Sequence, residues 1–256
     1  ESANQTHAIG PKVGSSAMAF ANGEYLDSAS STDWDFGSGA FTVEGWYNFT
    51  EKDSGGITMM GNRQSSSPYN GWMMQWDASD DMYFYFHNGS NINVSWAWSP
   101  EYKKWMHIAF ARSGNLIDFW VDGVSQGSQA ITGTLTASNA AFKLGGQPGS
   151  SSYDLIGYAD EQRISNVARY TPGTNFTPDT TEFSNDANTK LLIHSNTTMG
   201  STTFTDSSSA GHTITTTGSP KHVASKIGTG MAVFDGTDDN ITIRKEAGWL
   251  DANDFT

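Results

Sequence analysis

One nine-residue stretch of this chain returns, in close copy, 214 residues later. Lys12-Val13-Gly14-Ser15-Ser16-Ala17-Met18-Ala19-Phe20 is answered by Lys226-Ile227-Gly228-Thr229-Gly230-Met231-Ala232-Val233-Phe234. Phe41-Thr42 and Phe255-Thr256 stand at the same offset, and Asn22-Gly23 answers Asp235-Gly236 with one gap. Solenoid repeats recur every ~20–50 residues, so a period this long is that of a whole domain. The expectation is a window on a tandem array. Residues 1–187 form one unit that lacks its own opening strand, and residues 188–256 are the opening strands of a second.

A unit of about 200 residues can bury one sandwich core. The chain has no Cys, so no disulfide supports it, which points to a prokaryotic or viral source. Its 27 acidic against 14 basic residues give a net charge of −13. That balance argues against nucleic acid, whose phosphates call for Lys and Arg. It argues equally against an anionic membrane surface, and no stretch approaches the ~20 apolar residues of a membrane span.

Short strand patterns separated by turn residues run through the chain. Residues 41–49 alternate, with Phe41, Val43, Tyr47 and Phe49 on one face. Residues 104–112 and 116–121 form the clearest hairpin, with Met106, Ile108 and Phe110 sharing a buried face with Ile117, Phe119 and Val121. Asn22-Gly23, a dipeptide suited to positive φ, is expected to join residues 17–20 and 24–27 as a second hairpin. Further strands are expected over 57–61, 71–76, 82–87, 91–98, 142–144, 155–164 and 190–194. The one helical hint is a single turn at 166–169, and residues 171–188 read as a linker.

Four motifs, in order, resemble the laminin G-like or pentraxin-like branch of the concanavalin A-like sandwiches. They are Asp35-Phe36-Gly37-Ser38-Gly39-Ala40-Phe41-Thr42-Val43-Glu44-Gly45-Trp46, Trp105-Met106-His107-Ile108-Ala109-Phe110, Asp118-Phe119-Trp120-Val121-Asp122-Gly123, and the stretch from Gly157 to Tyr170 around Asp160-Glu161-Gln162-Arg163-Ile164. The resemblance implies an all-β fold, a two-sheet antiparallel jelly-roll sandwich with almost no helix. It also implies that the first and last strands of a unit lie side by side. A unit without its first strand has an open edge, and residues 190–194 are expected to fill it, in cis or from a neighbour.

Three kinds of site are candidates. Glycosidases on this sandwich need two carboxylates about 5–9.5 Å apart. Their Glu-x-Asp-x-x-Glu pattern is absent, and Asp160 and Glu161 are adjacent, so on a regular strand they face opposite ways. No enzyme is expected. Some relatives hold a structural calcium between the early Asp-Gly turn and the Asp of the closing motif. The matching positions are Asn22, Gly23 and Asp160, and the plainer reading is that Asp160 accepts turn amides. Sugar binding is the third. Tyr69, Asn70, Trp72, Gln75, Trp76, Tyr83, Tyr85, Trp96 and Trp98 concentrate rings and amides, and rings stack on sugar faces while amides fix orientation. Trp72, Trp76, Trp96, Trp98 and Tyr69 are taken as the ligand-binding candidates, against a reading in which most of the rings fill the core.

The reading that follows is a non-catalytic adhesion or decoration module, glycan-binding, on a virion (a tail fibre, for example) or a cell surface, hence extracellular. Two alternatives stand beside it: a structural subunit of a fibre, tubule or shell assembled by strand exchange, and a carbohydrate-binding module of a larger polysaccharide-degrading enzyme. Partners are glycans or neighbouring repeats in a homo-oligomeric assembly, with no nucleic acid and no membrane insertion.

Overall fold

The structure is a computed structural model that describes residues 7–53, 55–147, 153–224 and 230–232. Two antiparallel sheets face each other across an apolar core. The larger holds β2 (Ala17–Phe20), β4 (Phe41–Phe49), β9 (Met106–Ser113), β10 (Leu116–Val121), β11 (Val124–Ala130), β13 (Gly157–Ser165), β14 (Thr189–Ile193) and β16 (Lys221–Val223). Its order is β11-β10-β9-β4-β13-β2-β16, with β14 also paired to β13. The smaller holds β3 (Tyr25–Ser28), β5 (Gly56–Gly61), β6 (Trp72–Asp77), β7 (Asp81–His87), β8 (Asn91–Ala97), β12 (Phe142–Leu144) and β15 (Thr215–Thr217), in the order β15-β3-β12-β5-β6-β7-β8. A separate pair joins β1 (His7–Ile9) to β17 (Gly230–Ala232). This is the expected jelly-roll sandwich.

Period-2 patterning sets which side chains meet. Phe41, Val43, Tyr47 and Phe49 of β4 enter the core beside Ile108, Phe110, Ile117 and Phe119. Phe110 faces Phe119 in the β9–β10 register, with ring centroids 4.9 Å apart. From the other sheet come Trp72, Met74 and Trp76 of β6 and Met82, Phe84 and Phe86 of β7. Burying each Phe of this kind stabilises by roughly 1.5–3 kcal/mol. The core runs continuously between the layers.

Two local expectations need correction. The Asn22-Gly23 turn forms, with Glu24 N donating to Ala21 O at 3.0 Å and Gly23 at φ +79°. Its flanking strands do not pair as a hairpin, however: β2 belongs to one sheet and β3 to the other. Phe20 and Leu26 both point into the space between the layers, so the turn crosses from sheet to sheet. The helical hint at 166–169 is a series of bends. A single 3-10 turn falls instead at Thr32–Trp34, where the Ser31 hydroxyl accepts from Asp33 N.

The edge of β13 is shared. β2 pairs with its first residues, Gly157 to Ala159, and β14 with its last, Gln162 to Ser165. Between them a bulge places Glu161 at φ +49°. Residues 189–223 therefore complete both layers: β14 pairs with β13, β16 with β2 and β15 with β3. Leu191, Ile193 and Phe204 of this segment lie in the main core.

Candidate functional site

The two outer sheet faces differ. On the larger sheet, Thr42, Glu44 and Trp46 of β4 alternate with the core residues and so point outward. Residues 166–187 lie across them as a strap. Trp120 Nε1 donates to Thr174 O at 2.9 Å, Phe176 N to Gly123 O at 2.9 Å, and Phe183 N to Glu161 Oε2 at 2.7 Å. Gly123, at φ +77°, is required for this closure, because a Cβ there would run into the Phe176 carbonyl. Under the strap, Glu44 is wholly buried. It accepts from Arg163 Nε at 2.8 Å and from the Tyr170 hydroxyl at 2.6 Å, and His107 Nε2 lies 3.2 Å away. Burial alone raises the pKa of Glu44, but the bonds from His107, Arg163 and Tyr170 outweigh it and hold the carboxyl at about 2. Burial pushes the Tyr170 phenol up, reinforced by Glu44. This side of the molecule is a closed second core.

The outer face of the smaller sheet carries no such strap among the described residues. Register aligns two rows of side chains across it. One runs Asp27, Lys143, Gly61, Met73, Tyr85, Asn93; the other runs Thr58, Gln75, Tyr83, Ser95. Tyr83 and Tyr85 are half-buried, their rings stacked 5.0 Å apart and 18° from parallel. The Arg63 guanidinium sits 4.7 Å from the Tyr69 ring and 5.5 Å from the Tyr85 ring, and its Nη2 donates to Asn91 Oδ1 at 2.8 Å. Lys143 Nζ lies 3.6 Å from the Tyr25 ring centroid. Burial, then the neighbouring Tyr83, pushes the Tyr85 phenol up to about 12, so it is a neutral hydroxyl at ordinary pH. Burial and the nearby Asp77 raise Tyr83 as well. Thr58, Met73 and Gln75 are buried in the middle of these rows, Gln75 Nε2 reaching Gln147 Oε1 at 3.5 Å. What the face presents is thus the half-buried Tyr83–Tyr85 pair, with Asn93, Ser95 and charges of both signs beside it.

The five ligand-binding candidates separate. Trp72 and Trp76 are each 1 % exposed and Trp96 is 5 % exposed, so none offers a ring face to a ligand. The cause is the β6–β7 register: Trp72 lies opposite Phe86 and Trp76 opposite Met82, both core residues. Trp72 Nε1 donates to Trp34 O at 2.8 Å, and Trp96 Nε1 donates to Gly127 O. Trp98 is half-buried, edge-on to Phe119 at 5.3 Å. Tyr69 alone of the five joins the open face, through Arg63. The alternation that sends Trp72 and Trp76 inward sends Tyr83 and Tyr85 outward. Both tyrosines stood in the same ring-rich stretch, and the signal that singles them out is their offset by one from Met82, Phe84 and Phe86.

The structure does not bring the calcium candidates together. Asp160 follows Ala159, which pairs with Met18, while Asn22-Gly23 lies beyond the other end of β2. Asp160 Oδ2 accepts from Lys12 N and Val13 N, both at 3.0 Å, and Oδ1 accepts from Glu161 N at 3.0 Å. Burial nonetheless pushes its carboxyl up to about 7. The acid beside Gly23 is Asp154, whose Oδ2 accepts from Gly23 N at 2.8 Å. Among the described residues no group of three His, Asp or Glu is placed to hold a metal ion. Nor is any helix among them long and apolar enough to cross a membrane.

Residues 20–172 match the family described as the concanavalin A-like lectin/glucanases superfamily, in its laminin G branch. The chain belongs to this superfamily. No curated protein matches it in sequence. Among solved structures, a candidate carbohydrate binding protein from Bacteroides ovatus superposes with a TM-score of 0.62 at 15% identity. The match covers 85% of this chain and 61% of that one, so the chain spans less than two thirds of that relative's length. Domain 4 of AbnA, a GH43 extracellular arabinanase from Geobacillus stearothermophilus, solved with arabinotriose, gives a TM-score of 0.46 at 16% identity, over 64% of this chain and 82% of that one. The heptameric SAP-like pentraxin of Limulus polyphemus gives 0.39 at 13%, over 58% and 78%. The family match and the Bacteroides ovatus likeness show the concanavalin A-like sandwich as the fold.

Proposed function

We propose that the chain is a non-catalytic glycan-binding module that acts outside the cell, as an adhesion or decoration element of a virion or cell surface. The observation that carries this reading is the stacked Tyr83–Tyr85 pair, half-buried on the outer face of the smaller sheet with Asn93 and Ser95 beside it on the neighbouring strand. Sugar rings present apolar C–H faces and polar edges, and a surface mixing tyrosine rings with Asn and Ser meets both. Lys143 and Arg63 are balanced by Asp27 and Asp77 on the same face, which suits neutral or weakly charged glycans. The lectin-bearing superfamily supports the reading, as does the carbohydrate binding assigned to the Bacteroides ovatus relative.

The carboxylates support a binding role over catalysis. Glu44, Asp160 and Glu161 are buried and each is engaged by the fold. Asp27 and Asp77 lie on β3 and β6, with β12 and β5 between. Three inter-strand spacings amount to about 14 Å, beyond the ~5–9.5 Å that paired glycosidase carboxylates need. Asp77 and Asp81 flank a hairpin turn, where Asp77 Oδ1 accepts the amides of Ser79 and Asp81.

The test is a glycan array of the intact chain, followed by titration of the best oligosaccharide into Tyr83→Ala, Tyr85→Ala and Trp98→Ala. Each tyrosine change is expected to weaken binding about tenfold or more, ~1.4 kcal/mol, with Trp98→Ala close to wild type. Loss confined to Trp98→Ala, or no glycan bound at all, contradicts the assignment.

A further inference from the structure

A buried guanidinium needs a carboxylate or a set of carbonyls, because a desolvated cation left unpaired is costly. Arg63, Arg112 and Arg163 are the buried arginines among the described residues. Arg163 meets Glu44, with Nε 2.8 Å and Nη2 2.7 Å from Oε1. Arg112 fills its fork with carbonyls instead: Nε, Nη1 and Nη2 donate to Gly114 O, Gly37 O and Gly133 O at 2.9, 3.2 and 2.9 Å. Arg63 has neither arrangement. Its Nη2 donates to Asn91 Oδ1 at 2.8 Å, and its Nε has no hydrogen-bond partner. Among the described residues no Asp or Glu forms an ion pair with it. Asp77 lies opposite Gly56, at the far end of β5, roughly 20 Å away along the strand.

Two rings hold the Arg63 cation in place. The Tyr69 and Tyr85 centroids lie 4.7 and 5.5 Å from its guanidinium carbon. Tyr69 reaches it from a left-handed backbone, φ +64°, with Tyr69 N donating to Ser66 O at 2.8 Å. That conformation is costly for a bulky residue and persists only where the surroundings impose it. Ring faces offset part of the charge but leave directional N–H donors unused. The cation therefore sits at the rim of the stacked Tyr83–Tyr85 pair, with the exposed amides of Asn91 and Asn93 beside it on β8. It is a positive group already desolvated and positioned, and the fold supplies it with no counter-charge.

We propose that Arg63 receives the carboxylate of an acidic sugar, a uronic acid whose ring lies on Tyr85. This rests on the tyrosine face being the glycan site, and it names the class of sugar that the face takes. A planar guanidinium matches a carboxylate with paired N–H donors. A uronic acid stacked on Tyr85 extends its carboxylate past the edge of that ring, toward a cation 5.5 Å from the ring centre. The chain's net charge of −13 repels a run of acidic sugars. The glycan expected is therefore mostly neutral, with one uronic acid at the Arg63 end of the face.

The probes are glucuronate- and galacturonate-containing oligosaccharides, each paired with its carboxyl-reduced neutral counterpart. They are titrated into the intact chain and into Arg63→Gln, Arg63→Lys and Tyr83→Ala. An acidic member is expected to bind the intact chain about tenfold or more tighter than its neutral counterpart. Arg63→Gln is expected to bind both alike, at the level of the neutral one. Arg63→Lys keeps the cation without the planar fork, so it disturbs folding least, and it is expected to lose most of the acid preference. Tyr83→Ala is expected to weaken both members of a pair by a similar factor. Equal binding of acidic and neutral members by the intact chain, an acid preference that survives both Arg63 changes, or no binding of any acidic probe overturns the proposal. Neutral glycans whose binding depends on Tyr83 without any acid preference would overturn the role of Arg63 alone. An acid preference that needs Arg63 and ignores Tyr83→Ala would support the role of Arg63 and overturn the tyrosine platform.

Discussion

At the level of single residues, the buried carboxylates make the sharpest demands. Glu44 faces one guanidinium, one phenol and one imidazole in a space closed to water. Glu44→Gln keeps the shape and removes the charge, leaving Arg163 uncompensated. Breaking a buried pair in this way costs about 3–5 kcal/mol, measurable as a lower midpoint in urea unfolding. The folded pKa of Glu44, about 2, lies below its ordinary 4.5. Its stabilisation is complete above about 4.5 and fades as pH falls toward 2, and a flat acid limb in the wild-type stability profile would count against the network. His194 behaves in the opposite sense. Its bond to Glu161 Oε1, 2.7 Å long, raises its pKa above the usual 6.5. That contribution is full below 6.5 and is lost as pH rises through the folded value. His194→Asn is expected to abolish this loss, seen as a flatter stability curve as pH rises from 6.5.

At the level of elements, the strap at residues 166–187 was the least legible part of the chain. It is polar and carries prolines, so it reads as a linker. Its packing residues, Tyr170, Phe176 and Phe183, are too far apart to form a periodic pattern, and only the covered outward residues of β4, β9 and β13 give them a purpose. Phe183→Ala is expected to destabilise by about 3–5 kcal/mol. Gly123→Ala is expected to cost more than about 1 kcal/mol, because the turn needs positive φ and the strap needs the space. Unfolding near wild type in both variants would mean that the strap is not part of the fold. By contrast, β4, β9 and β10 were legible from alternation alone, since their inward residues are large and regularly spaced. β11 was missed because its sequence, Val124-Ser125-Gln126-Gly127-Ser128-Gln129-Ala130, is that of a polar edge strand with no buried face. For β6 the alternation was visible but its direction was not. Trp72 and Trp76 look like sugar platforms until the strand is placed opposite β7, which turns them inward and leaves Tyr83 and Tyr85 facing outward.

For the whole molecule, the net charge of −13 sets a background of self-repulsion. Raising salt from about 0.01 to 0.15 M shortens the screening length from ~30 to ~8 Å, so the melting temperature is expected to rise over that range. A melting temperature that falls instead would show that attractive ion pairs dominate. The sandwich offers two broad faces, one closed by the strap and one that leaves Tyr83, Tyr85, Asn93 and Ser95 at least partly exposed, and that asymmetry underlies the functional reading. The most direct test is a backbone-resolved NMR titration of the intact chain with the oligosaccharide the array selects. The account predicts shift changes concentrated on β6, β7 and β8, led by Tyr83, Tyr85 and Asn93, with the strap and β9 to β11 silent. Changes centred on the strap side, or on the Trp98 end alone, would contradict it.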